Sequence, residues 1–204
     1  MKFNWKKYLA IAFAILGAAF TVAQFGIDMW SASQSAFTPD IFITIINFLI
    51  MVLVCYYLLS GNINSNYSAY SGMLMFIFLI TFEFAELFFF NSVSIFSLLV
   101  SGELAYVLVG SALLAVVGGA VVTGVFSYIK TRQYISKRYY NYKVVFILSL
   151  IFTILTVLFS LYTAFAYPLL SGTFSIQLID FSAVGDACLA LSVFFTVMRL
   201  SPND

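Results

Sequence analysis

The sequence predicts an all-α fold: a polytopic membrane bundle of six transmembrane helices, with one further short re-entrant or interfacial helix, in a single domain over residues 1–204. Three observations predict it. The chain is 63% hydrophobic and only 8% charged, where a soluble domain carries about 25% charged residues. At a mean hydropathy of +1.07, a soluble fold of this size could not bury that much apolar surface. The apolar residues also fall into runs near the length, about 20 residues, that a helix needs to cross the hydrocarbon core. Finally, if the runs are taken as crossings, all nine basic residues fall on one side.

The expected spans are about 8–30, 41–60, 70–90, 103–128, 144–167 and 177–200. The first follows Lys2, Lys6 and Lys7 and is too long for the apolar region of a signal peptide. A Ser-rich loop leads to Pro39 and Asp40, which open the second. The stretch Gly61-Asn62-Ile63-Asn64-Ser65-Asn66 reads as a turn before the third. The apolar stretch from Asn91 to Tyr128 would be about 57 Å long as one helix, too long for one crossing. A break at Ser101-Gly102 divides it into a short piece, Ser92 to Val100, and a fourth span. Pro168 stops the fifth span, as helix-breaking proline should.

Charge sets the expected orientation. The amino terminus, the loop between the fourth and fifth spans and the carboxyl terminus share the side that carries every Lys and Arg. Every acid except Asp204 lies at or toward the other side. By the positive-inside rule both termini are expected in the cytoplasm, with the chain in the plasma membrane. The loop residues Lys130, Arg132, Lys137, Arg138 and Lys143 are expected to meet anionic headgroups of the inner leaflet. Tyrosines interleave them, but lipid explains five cations against a membrane more simply than nucleic acid does.

Several absences exclude chemistry. With no His, imidazole-based triads, zinc sites and proton relays drop out. Cys55 and Cys188 lie in separate apolar runs, where free Cys behaves as a small hydrophobe, so no disulfide is expected. There is no Walker A loop, no H-E-x-x-H and no Gly-x-Ser-x-Gly elbow. No catalytic residue, metal site or cofactor is expected, and the chain does not read as an enzyme.

The informative polar residues are those inside the spans. Asp40, Glu103 and Asp180 open helices, where a carboxylate meets free N–H groups and the positive end of the dipole. Asp28, Glu83 and Glu86 lie instead in closing halves of helices, and Asp186 lies about 9 Å below Asp180. Ionisable groups within the hydrocarbon are costly and rarely face lipid. Glu83, Glu86, Asp186 and Asp28, with Gln24 and Asn47, therefore form a candidate polar or cation-binding region in the outer half. Two stripes accompany it at alternating four- and three-residue steps: Ala10, Ala14, Gly17, Thr21, Gln24, Asp28 on the first span, and Ser149, Thr153, Thr156, Ser160, Thr163 on the fifth. Small residues and hydroxyls at that spacing suit close helix packing.

Two functions follow as expectations. The first is a non-catalytic integral membrane subunit of a larger complex, with small faces such as Ala10/Ala14/Ala18 docking other subunits. The alternative is a small transport or binding component with an outward-facing acidic cavity for a cation, proton or small cationic solute. In architecture alone, six helices with small-residue faces are similar to the substrate-binding subunits of energy-coupling-factor vitamin transporters; no ligand motif of that family is present.

Overall fold

In the computed structural model, residues 4–34, 40–64, 66–89, 142–166 and 180–199 are described. They form five α-helices: α1 Trp5–Gln34, α2 Asp40–Ile63, α3 Asn66–Phe89, α4 Tyr142–Leu161 and α5 Phe181–Arg199. A π-helical turn, Tyr162–Ala166, continues α4. No strand occurs among the described residues. The chain is an all-helical, multi-pass membrane protein.

The expected six transmembrane helices are corrected. Among the described residues three helices are long and apolar enough to cross a bilayer: Trp5–Ser33, Thr44–Ile63 and Phe181–Arg199. In α3 and α4 the apolar stretches found among the described residues are Ser68–Thr81 and Phe146–Leu161. Hydropathy read along the sequence sums apolar residues without marking where a regular helix begins and ends. The expected fifth span, 144–167, runs through the π turn after Leu161 in this way. The expected fourth span, the Ser92–Val100 piece and the Ser101-Gly102 break lie outside the described residues.

The chain divides into two compact units, residues 1–73 with 156–204, and residues 74–155. In the first, α1 packs along both α5 and α2. Its pairing with α5 is antiparallel: Trp5 meets Phe195 edge to face, Ser192 Oγ donates to the Ala10 carbonyl, and Gln24 meets the backbone of Phe181. The seam is the small-residue stripe of α1. Ala10 and Ala14 are 0% exposed and Gly17 is buried. A Cβ on Gly17 would lie 2.6 Å from Leu189 Cγ, and one on Gly185 would lie 3.3 Å from Thr21 Oγ1. Glycine at both positions lets the backbones approach, which is how membrane helices gain dispersion energy without a hydrophobic driving force. This face is therefore filled from within the chain, not open to another subunit as Ala10/Ala14/Ala18 docking required.

Helices α1 and α2 are antiparallel as well, with Phe25 stacked on Phe48 and Lys7 Nζ donating to the Ile63 carbonyl. The α2–α3 corner is tighter than the sequence implied. Gly61, Asn62 and Ile63 do not form the turn; they are the last residues of α2. A Cβ on Gly61 would land on the Ala69 backbone, and one on Gly72 would lie 2.7 Å from Leu58 N. Each helix thus admits the other at a glycine. Opposite its packed faces, α1 carries Trp5, Ile15, Leu16, Val22, Ile27 and Trp30 exposed, as lipid contact requires. Trp5 and Trp30 are about 38 Å apart along the axis, near the span between the two interfaces where Trp is enriched.

In the second unit, Phe76, Ile77, Leu79 and Ile80 of α3 are buried, as are Ser149, Phe152 and Thr153 of α4. The hydroxyl stripe of α4 is its buried face. Thr156 and Ser160 are buried as well, at 1% and 4% exposure. The Ser149 hydroxyl donates to the Phe146 carbonyl of its own helix, so at least that hydroxyl is satisfied without a neighbour.

Candidate functional site

The antiparallel pairing gives the first unit two chemically distinct ends. The start of α1, the end of α2 and the end of α5 meet at a basic end. The closing part of α1 and the start of α5 meet at an acidic end.

At the acidic end Asp180 caps α5. Its Oδ1 accepts from the Ser182 amide at 2.9 Å, the Ser182 hydroxyl at 2.8 Å and the Ala183 amide at 3.3 Å, as a helix-opening Asp should. Gln24 connects this cap to α1. Its Nε2 donates to Asp28 Oδ1 at 2.8 Å, while its Oε1 accepts from the Phe181 amide at 3.1 Å. One side-chain amide thus satisfies a carboxylate one turn along its own helix and an orphan N–H of another helix. The half-buried Asp28 then lies close to the positive end of α5, which offsets its poor position at the closing end of α1.

The other candidates are placed as follows. Asp186 is half-buried on α5, about 7.5 Å along the axis from Phe181. Asn47 is exposed, beside the Phe25–Phe48 stack and so at the level of Gln24. It shares a face of α2 with Met51, Val54 and Leu58, at steps of four, three and four, and all three are buried. That face is covered toward the basic end and open toward the acidic end. Glu83 and Glu86 lie in the closing half of α3, in the other unit. Asn47 thus lies at the level of Gln24, with Asp28 one turn further along α1 and bonded to Gln24. Lys130, Arg132, Lys137 and Arg138 lie outside the described residues, and Lys143 lies in the first turn of α4. Among the described residues no group of acids and cysteines is placed to hold a metal ion. Cys55 and Cys188 are both free thiols.

Sequence reasoning missed the basic end. Asn62 is 0% exposed, and its Nδ2 donates to the Leu58 carbonyl and to Thr196 Oγ1, each at 2.9 Å. The Thr196 hydroxyl donates to the Ser192 carbonyl, and the Ser192 hydroxyl donates to the Ala10 carbonyl. A continuous polar thread thus joins α2, α5 and α1. Lys7 Nζ reaches the Ile63 carbonyl at 3.3 Å and Arg199 Nη2 the Gly61 carbonyl at 3.4 Å, so two cations cap the negative end of α2. Asn62 Oδ1 and Arg199 Nε are buried here without a hydrogen bond. A signal did exist: Gly185, Leu189, Ser192 and Thr196 recur at steps of four, three and four, the spacing that marked the stripe of α1.

Compared with known proteins, the chain matches no family model, no curated protein and no solved structure. The architectural likeness to vitamin-transporter subunits therefore has neither the helix count nor a matching structure behind it.

Proposed function

We propose that this chain is a non-catalytic subunit of a larger membrane protein complex, and that the open face of α2 around Asn47 receives a helix from another subunit. The observation that carries this reading is the exposed Asn47 within the apolar span Thr44–Ile63. A side-chain amide in hydrocarbon is costly and is ordinarily met by a neighbouring helix. The acidic end adds support, because the Gln24 amide is already committed at both ends to bonds within the chain. Those contacts do the work of structure and call for no cofactor or reaction. Nothing in the residues points to nucleic acid.

The basic end is proposed to face the cytoplasm, with the chain in the plasma membrane. Lys7 and Arg199 both bond the end of α2 although they come from opposite ends of the sequence, and the positive-inside rule puts such a concentration inside. Both termini follow, and the basic segment from Lys130 to Lys143 joins them against the anionic leaflet. A cysteine introduced at Ser33 should react with an impermeant thiol reagent outside intact cells, and one at Asn4 should not. The reverse pattern would invert the topology.

A second reading rests on the same openness of α2. An exposed Asn47 level with Gln24, one turn from Asp28, also suits an outward vestibule for a cation, proton or small cationic solute. Asp28→Asn separates the two readings, since an Asn oxygen still accepts from Gln24. As a subunit, the variant should copurify with its partners as the wild type does, whereas Asn47→Leu should lose them. In a transport site, Asp28→Asn should abolish uptake in a folded protein. A tagged wild-type chain that purifies alone, monodisperse and without partners, would end the subunit reading.

A further inference from the structure

We draw no further inference here: the strongest candidate, the exposed face of α1 on which Ala12, Ala19 and Gly26 recur at seven-residue steps, is a stripe of small residues, and nothing in the structure shows what covers it.

Discussion

The two ends of the first unit answer the same physical problem differently. Each contains a helix terminus with unpaired backbone groups, and each meets it with charge of the complementary sign. At the acidic end the solution is short-range. Asp180 caps its own helix, and Gln24 spans Asp28 and the Phe181 amide with bonds of 2.8 and 3.1 Å. At the basic end the contacts are longer, 3.3 and 3.4 Å, and buried polar atoms remain unbonded. What holds the basic end is packing: glycine admits the neighbouring backbone, and the Asn62–Thr196–Ser192 thread ties three helices. The same helix pair is thus held by short hydrogen bonds at one end and mainly by close packing at the other.

The comparison predicts where substitutions hurt most. Gly61→Ala should be the most damaging, because its methyl would fall on the Ala69 backbone and backbone cannot yield as a side chain can. A cost of about 3 kcal/mol or more is expected for such overpacking, seen as loss of the monodisperse peak in size exclusion. Gly17→Ala, on the α1–α5 seam, collides with the Leu189 side chain instead. Leu189 can shift in part, so about 1–3 kcal/mol and a lower unfolding midpoint in detergent are expected. If Gly17→Ala proves worse than Gly61→Ala, the hairpin corner is not the tighter of the two contacts.

The acidic end should respond to chemistry more than to volume. Gln24→Leu removes the Asp28 and Phe181 bonds together and should cost about 1–3 kcal/mol. Asp28→Asn should change stability little, because its oxygen still accepts from Gln24 Nε2. Comparable losses from the two would show that the charge of Asp28, and not its acceptor, matters to folding. The smallest effect belongs to Gly26→Ala. Nothing lies within 4 Å of a Cβ there, and replacing a mid-helix glycine gains up to about 1 kcal/mol of helix propensity. A marked loss would mean that a partner or lipid needs the gap.

Composition and periodicity alone determined that the chain is helical and lies in a membrane. They also located two seams, since the stripe from Ala10 to Gly17 and the stripe from Ser149 to Ser160 are both buried faces. Such features are local: three or four residues of spacing decide which side chains share a helix face, whatever else the chain does. Asp180 as a cap was legible for the same reason. The number of crossings was not, because hydropathy sums over a stretch without knowing where a helix changes pitch, as at Tyr162. The sequence could not show that Ala10 and Ala14 face α5 in place of another subunit, or that Asn62 belongs to a buried thread and not to a turn. Nor could it show that Lys7 and Arg199, 192 positions apart, cap the same helix. Those facts belong to tertiary structure, because a helix face carries the same signature whether its partner is lipid, another chain or a distant segment of its own.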